Sequence, residues 1–115
     1  MAAQSMWRET NRMTAAATTG VQSSAIVRPG EQWYAARVAV RNQTRASTVA
    51  DLSIDSGGTP HHLYRFSLTS QNVFYNLQVE VWLRESEQLR LDWSSIVAAD
   101  VLDFHIVGIQ KIVRD

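Results

Sequence analysis

The sequence predicts an all-β fold, an antiparallel two-sheet β-sandwich or jelly roll of about seven or eight strands. Three observations carry this reading: apolar residues alternate with period two, turn signals recur every few residues, and no apolar stripe of helical length interrupts them. Tyr34, Ala36, Val38 and Val40 alternate with Trp33, Ala35, Arg37 and Arg41. Leu77, Val79, Val81 and Leu83 alternate with Gln78, Glu80, Trp82 and Arg84, and Leu102, Phe104 and Ile106 with Asp103, His105 and Val107. Successive side chains on a strand point to opposite faces, so one row of each set faces a core and the other faces outward.

Taken in order, residues 1–20 differ from the rest. Trp7, Arg8, Arg12 and Met13 lie in a tract rich in Ala and Thr, which predicts an extended arm ahead of a sandwich domain over 21–115. A short helix over 6–17 is the competing reading, weakened by clustered Thr and the lack of an apolar face. A free tail is another, and Trp7 argues against it, because a large apolar ring needs a cover. A strand is expected over 21–27, then a turn at Arg28-Pro29-Gly30-Glu31, where Pro presets φ and Gly tolerates φ > 0. Strands follow over 32–42 and 48–55, the latter with Leu52 and Ile54 inward.

Asp55-Ser56-Gly57-Gly58-Thr59-Pro60 is the strongest turn signal in the chain. Beyond it, strands are expected over 61–68 and 73–83. Arg84-Glu85-Ser86-Glu87 reads as a charged hairpin tip leading into a strand over 88–93. After a loop at 94–100, the last strand spans 101–113, where Gly108 and the shift of alternation from Ile106 to Ile109 predict a bulge.

Composition bounds the function. Eleven basic and eleven acidic residues cancel, which argues against a dedicated nucleic-acid binder and fits life in an assembly. Ten of the eleven basic residues are Arg, with Lys111 the exception. Arg is favoured over Lys at interfaces, although genomic GC content gives the same bias. The absence of Cys excludes disulfides and thiolate metal sites. The first residues lack the basic and apolar segments of a signal peptide, and no run is long enough to span a membrane. The expectation is a soluble product of the cytoplasm.

Residues capable of chemistry do not converge. His61 and His62 are adjacent and so face opposite ways on a strand, and His105 stands in an outward row. Asp100 and Asp103 are three apart and fall on opposite faces. Asp51 and Asp55 share a face but lack the ligand-rich loop that Ca²⁺ requires. Gly57-Gly58 is not a phosphate loop, because no Lys or helix follows. No catalytic residue, cofactor site or metal site is expected. Tryptophans are more informative. Trp33 and Trp82 each oppose their strand's aliphatic row, so with Trp7 they would form an apolar patch near Arg37, Arg41 and Arg84, residue types favoured at interface hot spots. Burial of these rings at sheet edges and stacking of carbohydrate on them are the other two readings.

Four stretches resemble small virion proteins of tailed bacteriophages: Arg28-Pro-Gly-Glu-Gln-Trp-Tyr34, Arg37-Val-Ala-Val-Arg-Asn42, Glu80-Val-Trp-Leu83, and Asp100-Val-Leu-Asp-Phe-His-Ile-Val-Gly-Ile109. The resemblance covers about 26–113. Ser86 at the tip and the glycine-free loop at 94–99 depart from the pattern. The resemblance implies a capsid cement or decoration protein, or else a head–tail or tail component, working by assembly rather than catalysis. It implies a virion location after synthesis in the host cytoplasm. Implied partners are the major capsid protein or other virion proteins and further copies of the chain, as a trimer, with no nucleic acid and no membrane. The expected contact residues are Trp7, Arg8, Arg12, Trp33, Arg37, Arg41, Trp82 and Arg84. A carbohydrate-binding module is the alternative from another class.

Overall fold

A computed structural model describes residues 3–113. These form eight strands: β1 (Ala3–Thr14), β2 (Gly20–Ser23), β3 (Glu31–Asn42), β4 (Thr48–Ser56), β5 (Thr59–Leu68), β6 (Tyr75–Leu83), β7 (Glu87–Ser94) and β8 (Val101–Ile112). They build two four-stranded sheets, β1-β8-β3-β6 (sheet I) and β2-β7-β4-β5 (sheet II), in which all pairs are antiparallel. The predicted all-β sandwich is therefore the fold.

Its topology has a simple origin. Strand 1 pairs with 8, 2 with 7, 3 with 6 and 4 with 5, so the chain is one long hairpin folded at its middle and then rolled up. This is the jelly-roll arrangement. The fold point is the Gly57-Gly58 turn, where both glycines have positive φ, 62° and 92°. A two-residue hairpin turn of this hand requires that conformation, and the Asp55 carboxylate accepts a 2.8 Å hydrogen bond from the Gly58 N–H.

Every other connection crosses from one sheet to the other. The expected hairpin tip at 84–87 is thus corrected: it carries the chain from β6 in sheet I to β7 in sheet II. Ser86 takes φ 71° and donates its N–H to the Val27 carbonyl, while Glu87 accepts the Arg84 N–H at 2.7 Å. Alternation cannot tell a hairpin from a crossing, because both need a tight polar turn.

The core lies between the sheets. Leu89, Leu91 and Trp93 of β7, Ala50 and Leu52 of β4, and Phe66 and Leu68 of β5 face Val38 and Val40 of β3 and Leu102, Phe104 and Ile106 of β8. A polar side chain is built into it. Gln22, the inward residue of β2, accepts from Trp93 Nε1 at 2.7 Å and donates to Asn11 Oδ1 at 2.9 Å, while its neighbour Val21 points outward. The strand expected over 21–27 is accordingly shorter, and its inward side chain is polar.

The N-terminal segment needs a larger correction. Residues 3–14 are not an arm outside the sandwich, nor a helix or a tail, but an edge strand in continuous register with β8 from Ala3↔Ile112 to Thr14↔Val101. Trp7 is 1 % exposed and belongs to the core, with its ring centroid 5.0 Å from that of Trp33. Its Nε1 donates to Glu9 at 2.9 Å, and the Glu9 carboxylate in turn accepts the Ala25 N–H, which ties β1 across to the chain beyond β2. The division at residue 20 disappears: β1 completes the sandwich.

Trp33 is buried rather than outward, and a bulge is the reason. The register of β3 slips between Ala35 and Arg37 against both neighbours. Before the slip, odd residues (Trp33, Ala35) face inward; after it, even ones (Val38, Val40) do. A single extra residue therefore reverses the expected faces of Trp33 and Tyr34. The irregularity expected at Gly108 lies on β3 instead, directly opposite, while β8 keeps unbroken register with β1. Gly108 is needed because a Cβ there would stand 1.8 Å from the Tyr34 carbonyl oxygen.

Candidate functional site

The outward face of sheet I is built in cross-strand rows. Met6 of β1 pairs with Ile109 of β8, Ile109 with Tyr34 of β3, and Tyr34 with Trp82 of β6. This register draws one apolar row across all four strands. Met6 is 66 % and Trp82 50 % exposed, and Ile109 is exposed as well. The Tyr34 and Trp82 rings meet at 5.0 Å with their planes 49° apart. Cross-strand neighbours on one face support each other, and among the described residues no further element packs over this face.

Basic groups border the row on both sides. On one side Val107 is flanked by Arg8 and Arg37, its partners on β1 and β3. Neither arginine has an ion pair among the described residues, and Arg37 shares a concavity with Ala36, Gln78, Glu80 and Val107. On the other side Lys111 places its Nζ 5.9 Å from the Trp82 ring centroid.

Two rows beyond Arg8 and Arg37 the same face is closed by an ion network. Asp103 lies between its register partners Arg12 and Arg41, accepting from Arg12 Nε at 2.8 Å, Arg41 Nε at 2.9 Å and Gln43 Nε2 at 2.8 Å. Burial pushes its carboxyl up, but the hydrogen bonds from Arg12, Gln43 and Arg41 outweigh that and hold it below the ordinary carboxylate range. The Arg41 guanidinium lies 4.2 Å from the Phe74 ring centroid, and Phe74 packs on His105. Asp100, just before β8, is also buried. Burial raises it, while the Val97 N–H, Asn42 and Arg45 together lower it further. Its Oδ1 is buried without a partner, as is Thr48 Oγ1.

The outward face of sheet II contrasts with this. Asp51 accepts two hydrogen bonds from Arg65 and one contact from His62, Arg90 holds Asp92, and Asp55 serves the hairpin turn. Its charges are satisfied locally. His61 is exposed, and among the described residues no three His, Asp or Glu side chains gather as a metal site would require.

Of the expected contact residues, the structure therefore brings Arg8, Arg37 and Trp82 together on one open face. Arg12 and Arg41 share that face but are engaged with Asp103, and Arg84 is exposed at the crossing turn. Trp7 and Trp33 are corrected to the core. Met6, Tyr34 and Ile109 were not expected on this face. Ile109 and Met6 come into view only once β1 is placed beside β8, and Tyr34 only once the β3 bulge is known.

No protein family matches the chain, and no curated protein sequence does. Solved structures do. A protein of Bacillus endospore appendages, described as forming a novel family of disulfide-linked pili, superposes with TM-score 0.61 at 15 % identity, over 99 % of this chain and 92 % of that one. The Drosophila NLP core, described in terms of pentamer formation and histone binding, gives 0.47 at 10 % identity over 89 % and 95 %. Infectious bursal disease virus, Gt strain, gives 0.48 at 11 % identity over 96 % of this chain and 32 % of that one. At such identities the first likeness is one of fold, and the other two superpose too loosely to add to it.

Proposed function

We propose that this chain is a non-catalytic building block of a larger protein assembly, held there by the open face of sheet I. The observation that carries the reading is the apolar row Met6–Ile109–Tyr34–Trp82, which crosses an entire sheet with Met6, Ile109 and Trp82 exposed and Tyr34 half-buried, beside two arginines without an ion pair among the described residues. Trp, Tyr and Arg are the residue types that dominate interface energies. The jelly roll of the Bacillus appendage protein is described as a pilus component, which shows that such a sandwich can serve as a building block. This chain has no Cys, so an assembly of it would not rest on disulfides.

The resemblance to phage virion proteins specifies the reading further: a capsid cement or decoration protein, acting as a homo-oligomer such as a trimer and joining the major capsid protein or other virion proteins. Repetition over a shell makes contacts of modest strength effective. A head–tail or tail component is the variant of the same reading. Mass photometry of the full chain should show a symmetric oligomer, and negative-stain images of decorated shells should show density over the whole surface. Density at a single vertex would select the neck variant. A monomer at high concentration that binds no shell or fibre would end the reading, and a glycan-array response lost on Trp82→Ala would replace it with carbohydrate binding.

A further inference from the structure

Resting on that reading, we infer that the apolar row on sheet I receives a different protein segment, one with an apolar centre and carboxylates to either side, and not a second copy of this chain. The charge pattern carries the choice. The row is bordered by Arg8 and Arg37 on one side and Lys111 on the other, and among the described residues Glu80 shares the Arg37 concavity without an ion pair.

Two copies stacked row on row would be related by a two-fold axis lying in their interface. If that axis runs along the row, the arginines of one copy fall opposite Lys111 of the other. If it runs across the middle of the row, β1 of one copy lies over β6 of the other, so Arg8 meets Glu80 while Lys111 and Arg37 face no carboxylate. Cation meets cation in the first arrangement, and in the second three cations of each copy share one carboxylate, so self-stacking is opposed and an acidic partner is favoured. The remaining cations of this face, Arg12 and Arg41, are both held by Asp103, which leaves Arg8, Arg37 and Lys111 as the cations without an ion pair beside the row among the described residues. The face of sheet II does not complement it, because the Asp51 and Asp92 carboxylates are engaged by Arg65 and Arg90.

An unbiased peptide-display library panned on the full wild-type chain, with Trp82→Ala as counter-selector, tests this. Selected peptides should carry an apolar centre flanked by Asp or Glu. As synthetic peptides they should bind Trp82→Ala about 30-fold more weakly, as loss of a hot-spot aromatic implies. They should bind the doubly substituted Arg8→Glu, Arg37→Glu chain at least about 10-fold more weakly, with affinity falling as salt rises from 0.05 to 0.5 M. Unchanged melting of the variants shows that they fold. Neutral or basic selected peptides, or peptides indifferent to Trp82, overturn the inference. So does a wild-type dimer in sedimentation equilibrium that Trp82→Arg dissociates, since a second copy would then occupy the row. A chain that coats shells equally well with or without Trp82 remains a building block but is held by another surface, which removes this inference; a chain that joins no assembly yet selects such peptides keeps the inference and removes the assembly reading.

Discussion

Two aromatic pairs in sheet I have the same ring separation, 5.0 Å, and similar tilts, 55° for Trp7 with Trp33 and 49° for Tyr34 with Trp82. Trp33 and Tyr34 are neighbours in sequence, yet one pair is sealed in the core and the other lies open to solvent. Geometry within a pair does not assign its role; the face it occupies does. The inner pair fills the space over Gly108, the inward position between Trp7 and Ala35 that can hold no side chain. The outer pair fills no space between elements of the described residues. Stability should therefore depend on the first and contact on the second.

The largest effects are expected from the inner pair. Trp7→Ala should lower the unfolding free energy by about 3–5 kcal/mol in urea titrations, as large-to-small core changes do. Removal of residues 1–19 should abolish the cooperative transition altogether, because it takes away both this ring and a whole strand. A truncated chain that melts as the full one does would return the segment to the status of an arm. Gly108→Ala should cost about 3 kcal/mol, the upper part of the range for overpacking, since the new methyl group meets backbone rather than a mobile side chain.

Next comes the ion network that closes the outer face. Asp103→Asn should cost about 1.5–3 kcal/mol at neutral pH, the range for hydrogen bonds to charged groups. The pH dependence has a definite sign. The folded-state pKa of Asp103 lies below its unfolded value of about 3.9, so its stabilisation is present above that value and is lost as pH falls through the folded pKa. Melting temperatures measured from pH 7 down to pH 2 should decline less steeply in Asp103→Asn. Some slope should remain, because Asp51 and Asp100 are lowered too. An identical acid limb in the variant would contradict the assignment.

How much of this could be read in advance differs between the two pairs. The rows of β6 and of β8 up to Val107 follow directly from alternation, and the Gly-Gly turn marks the midpoint of the roll. Trp7 was legible as a ring that needed a cover, but β1 itself was not. Its inward positions after Trp7 are Glu9, Asn11 and Met13, a mixed row without the apolar period that identifies a strand. Gln22 hides β2 in the same way. The faces of Trp33 and Tyr34 were inverted because a bulge adds one residue without altering composition, and period-two reasoning carries the error to every residue on one side of it. Trp82 was placed outward from alternation alone, because β6 alternates without interruption from Tyr75 to Leu83 despite the slip against β3.

The smallest effect on stability and the largest on function should meet in Trp82. Its substitution by Ala should change the unfolding free energy by no more than about 0.5 kcal/mol, as for exposed sites in general. The most direct test of the account is the distribution of the Trp82→Arg chain between free and assembled fractions, in sedimentation of particles from cells that make it, beside wild type and with melting of both recorded. The account predicts an unchanged melt and an assembled fraction reduced at least about 10-fold, since burying an added charge in an apolar contact is strongly unfavourable. An assembled fraction equal to that of wild type would contradict it.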